Sequence, residues 1–306
     1  MKDYKVSVII INYNTSRLTY ECIQSIVQFE SQENTEIIVV DNASETNDYN
    51  ELQSLLQNFC NVKIVRSKIN LGFGGGNMLG VQHANGNFLT FINSDVLFVE
   101  PLFQKLIAFS GETANLGVAG IQILDNESKK SISYRYFEGV RYKLLGRKFL
   151  EFTKKDKLSH KKDSNTPFKV DFVIGSFMFF KTEVFYEIGG FDTNIFLYYE
   201  ETDICYRLKK RGYHTYFIPT LKYIHLEGKS SNRNLQIKLE HWISYFYVTR
   251  KNFGLLKYII IKYFLLITYF FKSFFKEKNR FVFKNMLKMN ESLALSMKHR
   301  QKINSK

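Results

Sequence analysis

The sequence predicts an α/β fold, in which a mostly parallel central sheet is flanked by helices and followed by a basic, amphipathic helical extension. Three observations predict it. Apolar runs of strand length alternate with helical patterns through the first half of the chain, the signature of βαβ units. Hydrophobic residues make up 45% of 306 residues with only 3 prolines and no Gly, Ser or Pro-rich linker, so one large domain with an appendage is expected rather than disorder or two separate domains. The charge is lopsided: residues 1–228 hold 26 Lys/Arg against 26 Asp/Glu, while residues 229–306 hold 17 against 3. The whole excess of +14 therefore belongs to the tail, where nucleic acid and anionic lipid are the usual partners.

Taken in order, Val6–Asn12 is a buried strand, Leu18–Phe29 a helix and Glu36–Asp41 the next strand. A polar helix over Tyr49–Phe59 and a strand over Val62–Arg66 follow. A glycine-rich turn then leads into a helix over Met78–Ala84, and Phe88–Asn93 is a further strand. Residues 125–169, rich in Lys, Arg and Ser, have weak periodicity and are expected to form a long excursion. Strand character returns at Phe172–Phe180, with helices over Thr182–Ile188 and Glu200–Arg211. Because Val6–Ile11 starts a strand almost at once, no signal peptide is predicted and a cytoplasmic protein is expected. Cys22 and Cys205 fall in apolar helical patterns and, with Cys60, form no metal motif, which suits free thiols in a reducing compartment.

Ligands of such sheets sit beyond the carboxyl ends of the strands, so the polar residues there carry the functional signal: Asn12–Asn14, Asp41–Ser44 and Asn93–Asp95. The segments Val-Ser-Val-Ile-Ile-Ile-Asn-Tyr-Asn (6–14), Ile-Ile-Val-Val-Asp-Asn-Ala-Ser (37–44), Asn-Leu-Gly-Phe-Gly-Gly-Gly-Asn (70–77) and Phe-Ile-Asn-Ser-Asp (91–95) together resemble family 2 glycosyltransferases of the GT-A fold. Gly-Ser-Phe-Met (175–178), Gly-Gly-Phe-Asp followed by Phe-Leu-Tyr-Tyr-Glu-Glu-Thr-Asp-Ile-Cys (189–205), and His-Leu-Glu-Gly-Lys-Ser-Ser (225–231) extend the likeness, which is greatest to rhamnosyltransferase-type members. The resemblance implies a catalytic domain over 1–231, with 1–95 as nucleotide-binding half and 96–231 as acceptor-binding half, and an extension over 232–306.

Residue by residue, the resemblance puts Asp41 at the nucleotide base, with Asn12, Asn14, Thr15 and Asn42 around it. A uracil or thymine imide could donate to the Asp41 carboxylate, and a turn or helix-cap role is the alternative. Gly72, Gly74 and Asn77 are expected against the nucleotide-sugar. The pattern is not a dinucleotide fingerprint, since it reads Gly-x-Gly-x-x-Asn after the third strand. Asn93-Ser94-Asp95 stands where the family has Asp-x-Asp. Asp95 is the implied ligand for Mn²⁺ or Mg²⁺, and Asn93 brings no charge to help it. His225 is a further candidate ligand, with a structural histidine as the rival reading. Glu201 maps to the family's catalytic base, while Glu200, Asp203, Gly175 and Ser176 fall on the acceptor side. Acids that open a helix are also favoured by its dipole alone.

In the tail, Leu255–Phe271 is apolar but broken by Lys257 and Lys262, which disfavours a spanning helix. Phe, Tyr and Lys in mixture suit a helix lying in the headgroup layer of an anionic membrane, at the inner face of the cell membrane; packing against protein is the alternative. No nucleic-acid motif accompanies these residues. The implied activity is inverting transfer of a sugar, with rhamnose suggested, from a dTDP- or UDP-linked donor to a glycan or lipid-linked acceptor of a cell-surface polysaccharide. A metal-dependent nucleotidyltransferase and a non-catalytic nucleotide-sugar-binding membrane protein are the alternatives, and oligomerisation is left open.

Overall fold

Strand β1 (Val6–Asn12) is buried along almost all its length, as a continuous aliphatic run in a two-faced sheet must be. It pairs in parallel with β2 (Thr35–Asn42) on one side and β4 (Phe88–Asn93) on the other. β3 (Val62–Ser67) extends the parallel set beyond β2. The computed structural model describes residues 5–137, 164–226, 235–289 and 293–301. The 138–163 part of the expected excursion, the end of the 225–231 motif and the boundary at 231/232 lie outside the described residues.

The sheet of the described residues has nine strands in the order β3-β2-β1-β4-β10-β6-β11-β5, with β8 also on β11. Here β5 is Val96–Phe98, β6 Leu116–Leu124, β8 Phe168–Val170, β10 Phe177–Lys181 and β11 His214–His225. β10 runs against β4 and β6, so β6 and its parallel partner β11 share the direction of the first four strands. Only β10, β5 and β8 oppose it, and the sheet is mostly parallel as expected. The run predicted as one strand over 172–180 is broken. Phe172–Val173 leaves the main sheet as β9 to pair with β7 (Tyr134–Arg135), and a turn at 174–176 separates it from β10.

Helices α1 (Ser16–Phe29), α2 (Thr46–Leu56), α3 (Gly72–Val81), α4 (Phe103–Glu112), α5 (Thr182–Glu187) and α6 (Glu200–Lys210) cover the faces. The segment expected to be a glycine-rich turn is instead the start of α3. At Gly72 φ is +73°, and a Cβ there would stand 2.0 Å from the Phe196 carbonyl oxygen, so only glycine fits. At Gly80 a Cβ would stand 2.5 Å from the Ile9 side chain, so α3 lies closer to β1 than a larger residue would allow. Glycine reads as a helix breaker by propensity, but close packing of helix on sheet outweighs that here.

The extension is not a separate appendage. α7 (Leu235–Phe253), α8 (Leu255–Ser273) and α9 (Glu277–Lys288) share a core of Leu239, Ile243, Phe246, Tyr258, Ile261 and Val282, among others, against which Tyr199 also packs. α8 carries two stripes. Tyr258, Ile261 and Leu265 face inward. Leu256, Tyr263, Ile267 and Phe271 face solvent, as does Phe275 just beyond the helix, with exposures from 60% to 84%. No described helix is long and apolar enough to cross a membrane.

Charge locks α7 to α6 and to the turn at Asp192. Fully buried Asp203 accepts from Arg207 Nε at 2.8 Å and Asn252 Nδ2 at 3.0 Å, and lies 2.8 Å from Lys251 Nζ. Lys251 also reaches Asp192 at 2.7 Å, where Tyr247 donates at 2.8 Å. Burial works against ionising Asp192, but Lys251, the Asn194 amide and Tyr247 prevail and hold its carboxyl below the usual aspartate range. Asp203→Asn leaves two cations around a neutral amide, and we expect a loss of about 3 kcal/mol in folding free energy, read from the urea midpoint. A depressed pKa stabilises the fold above the unfolded value of 3.8, so the Asp192 contribution should drain away as pH falls through and below it.

Candidate active site

Three strand ends meet at one place because the register puts them there. Asn12 pairs across from Asp41, and Ile11 from Asn93. The sheet order reverses at β1, so the crevice between β1 and β4 is the switch point where open α/β sheets bind ligands. Thr15 spans it, its hydroxyl lying 3.2 Å from Asn12 Oδ1 and 3.3 Å from Ser94 Oγ.

The first strand end is a dense polar network. Asn12 Nδ2 lies within 3.1 Å of Asp41 Oδ1, 3.0 Å of Ser44 Oγ and 2.9 Å of Asp48 Oδ2. Asp48 also accepts from the Ser16 amide at 2.9 Å, satisfying an orphan donor of α1 from outside that helix. Asn14 adopts φ +55°, tolerable for asparagine, and accepts from the Glu45 amide. The partner that a buried Asp41 requires is Arg66, whose Nε stands 3.3 Å from Oδ2 and whose guanidinium lies 3.8 Å over the Tyr49 ring. That contact is ionic rather than a hydrogen bond, and Oδ2 accepts none among the described residues. Arg66, which the sequence reading passed over, is thus a member of the site.

Several of the expected donor residues also make contacts within the protein. Asn42 donates to Asn70 and to the Gly72 carbonyl and accepts from the Leu71 amide at 2.8 Å, pinning β2 to the start of α3. Asn77 is buried and donates to the Phe73 carbonyl within α3. Gly72 is held by Phe196, and Gly74 faces Phe191 and Glu200.

Asp95, 1% exposed, follows β4 and lies with Oδ1 3.1 Å from His225 Nε2. The last residue of β11 therefore reaches the residue just before β5, which the antiparallel pairing of His225 with Val96 enforces. His225 Nδ1 is buried and has no hydrogen-bond partner among the described residues. A carboxylate oxygen and an imidazole nitrogen at one point fit a divalent cation. No set of three or more His, Cys, Asp or Glu side chains gathers among the described residues. The pair would hold such a cation only with further ligands from a bound diphosphate.

The acids of α6 divide by environment. Asp203 is paired with Arg207 and Lys251. Glu201 lines a cavity of ≈ 410 Å³ whose walls include Arg135, Phe172, Tyr198, His241 and Phe253. Burial raises its pKa, against its own helix amide, Thr202 and the charge of Arg135. Burial raises Glu200 further, well above the glutamate value, and the neighbouring Glu201 charge adds to it. Glu200 Oε1 is buried with no hydrogen-bond partner among the described residues, whereas Glu201 faces the cavity. Tyr198 and Tyr199, which lead into α6, both sit at φ +72°. Two adjacent tyrosines there store strain of about 1–3 kcal/mol each, which is typical of functional turns. Tyr199 is braced by His241 of α7, its hydroxyl 3.0 Å from Nε2.

The 174–176 turn connects the two clusters. Gly175 faces Glu201, whose Oε2 lies 3.7 Å from where a Cβ would stand. Next to it, the Ser176 carbonyl accepts from the Asn93 amide at 3.1 Å, and Ser176 Oγ lies 2.7 Å from Tyr223 OH.

Residues 7–189 match the family model described as "Glycosyl transferase family 2". The chain belongs to that family. A second model, "Glycosyl transferase family group 2", matches residues 140–289 and so takes in Glu201 and helices α7 to α9. Among curated relatives, the uncharacterized glycosyltransferase YfnE of Bacillus subtilis is 34% identical over 50% of this chain, a match that spans 38% of that protein's length. The rhamnosyltransferase WbbL of Escherichia coli is 25% identical over 69% of this chain and 79% of its own. The structure also resembles the crystal structure of GalNAc-T7 with UDP, GalNAc and Mn²⁺. The TM-score is 0.60 at 17% identity, covering 81% of this chain and 48% of that one. At that identity the likeness shows the fold alone, which is GT-A.

Glu201 must be deprotonated to act as a base, and burial lifts its folded pKa above the ordinary 4.5. The acid limb of a kcat/KM–pH profile for this family member should therefore lie above 4.5, with activity rising as pH increases through it. A limb at or below that value would remove Glu201 from the role.

Proposed function

We propose that the protein is an inverting glycosyltransferase that moves a sugar from a nucleoside-diphosphate sugar to an acceptor hydroxyl. One observation carries this reading. A half-buried Glu201 on a cavity wall is joined through Gly175 and Ser176 to the strand end that bears Asn93, Ser94 and Asp95.

Glu201 takes the proton of the acceptor hydroxyl while that oxygen attacks the anomeric carbon from the face opposite the leaving group. Thr202, whose hydroxyl lies 3.4 Å from Oε1, orients the carboxylate. Asp41, with one oxygen lacking a hydrogen bond, suits the imide of a uracil or thymine base, which supports a UDP- or dTDP-linked donor. Arg66 and Tyr49 would flank that base. Asp95 and His225 would hold a divalent cation, Mn²⁺ or Mg²⁺, which when bound neutralises charge growing on the departing diphosphate. Fixing donor and acceptor in one geometry supplies much of the remaining rate gain. Similarity to the rhamnosyltransferase WbbL supports rhamnose as the sugar.

Peripheral attachment to an anionic membrane completes the proposal. The outward stripe of α8 is supported by its exposed Phe, Tyr and Ile residues, and lysines 257, 272 and 276 lie on or beside it.

In the assay that tests the activity, Glu201→Gln should lower turnover about 10²–10⁴-fold. Its donor dissociation constant should match the wild type, and excess EDTA should abolish transfer by either protein. Near-normal turnover in Glu201→Gln would remove the general base from the mechanism. For the tail, the full chain should float with phosphatidylglycerol-containing vesicles at low salt, and Phe271→Glu with Phe275→Glu should release it. Flotation that is unchanged in the double variant would place the contact elsewhere.

A further inference from the structure

The cavity beside Glu201 has two builders. Arg135 of β7 and Phe172 of β9 face each other across the small two-stranded sheet. Tyr245, Val248, Thr249 and Phe253 come from α7, in the extension. The acid that the proposed reaction needs thus opens into a space that would not exist without the tail. At ≈ 410 Å³ that space has room for a monosaccharide, and its walls are largely aromatic, as surfaces that stack on sugar rings are.

Arg135 brings a positive charge to the cavity, and that charge also acts on Glu201. Arg135 is exposed, it lines the cavity, and no described residue gives it a hydrogen bond or an ion pair. Other arginines near the site are committed: Arg66 to Asp41, and Arg207 to Asp203 and two carbonyls. Pairing of Tyr134 and Arg135 with β9 fixes the backbone of Arg135, so its guanidinium works from a rigid base. A guanidinium fork matches a phosphate or carboxylate by two parallel hydrogen bonds. From Phe253 at the cavity wall the chain passes through Gly254 directly to Leu255 and Leu256, which are 50% and 72% exposed and begin the outward stripe of α8.

We infer that this cavity is the acceptor pocket, built jointly by the catalytic domain and α7, and that Arg135 recognises an anionic group carried by the acceptor beside the sugar that is glycosylated. The inference rests on the glycosyltransferase reading and adds an acceptor class and a residue that selects it. Two sources offer the shared chemistry: the phosphate that joins a sugar to a carrier, and the carboxylate of a sugar acid. Tyr198 provides the apolar platform for the ring, and Arg135 the charge that separates anionic from neutral acceptors.

The test uses the full chain saturated with UDP or dTDP and Mn²⁺. Hexose 1-phosphates, hexuronic acids and methyl hexosides are titrated as probes, with inorganic phosphate as the control for attraction to the basic tail. Sugar phosphates or sugar acids should bind about tenfold tighter than the matching methyl hexosides. Which of the two shows the larger preference identifies the source of the charge. Arg135→Gln should erase that preference and leave methyl hexoside binding unchanged, whereas Tyr198→Ala should weaken all three classes. Equal binding of charged and neutral probes by the wild type, or a preference that survives in Arg135→Gln, overturns the assignment. Nucleotide binding is read on the same samples. Failure of the probe pattern with nucleotide binding intact refutes the pocket alone. Absence of UDP and dTDP binding in the wild type refutes the glycosyltransferase reading and the pocket with it.

Discussion

The ionic cluster around Asp203 is the interaction on which the rest of the arrangement depends. A fully buried carboxylate is tolerable only with partners, and Asp203 draws them from two directions. Arg207 comes from its own helix and is itself tied to the Ile188 and Gly190 carbonyls. Lys251 and Asn252 come from α7, and Lys251 is shared with Asp192. The cluster therefore fixes α6, the 188–192 turn and α7 with respect to one another. Glu201 stands two residues before Asp203 on α6, so its position in the cavity is set by charges it does not touch.

A second constraint holds the opposite side of the site. Parallel pairing of β1 with both β2 and β4 aligns three polar strand ends, and Asn12, Thr15 and Asp48 convert that alignment into a network. Close packing of α3, permitted by glycines at 72 and 80, supports it from one face. The two halves then meet through a single turn, 174–176, that breaks what would otherwise be one long strand. Its short span brings the Glu201 cavity and the Asn93–Asp95 end into one site, with His225 beside Asp95.

The extension combines both readings that its sequence permits. One stripe of α8 packs against α7 and α9, and the other remains open to solvent with its aromatic residues outward. An apolar helix with two such faces looks apolar all round in sequence, which is why composition alone could not choose between packing and a membrane. Placing α7 between the catalytic face and that outward stripe joins the acceptor pocket to whatever the stripe contacts.

The sequence by itself determined the strand–helix alternation, the starts of β1, β3 and β4, and the polar strand ends, because these follow from local periodicity and from which residues close each run. It also singled out Asp41, Asp95, Glu201 and His225, whose motifs are contiguous. Only the tertiary structure decided who partners whom. Arg66 beside Asp41, Lys251 beside Asp203, and Arg135 beside Glu201 are separated by 25, 48 and 66 positions, and no local pattern encodes such pairs. The glycines at 72 and 74 looked like a ligand loop because chain propensity cannot register a neighbour such as Phe196 pressing from 124 positions away. Likewise the sequence named Asn42 and Asp203 without showing the buried partners that hold them. Periodicity is a property of the chain, whereas the satisfaction of a buried polar group is a property of the packed interior.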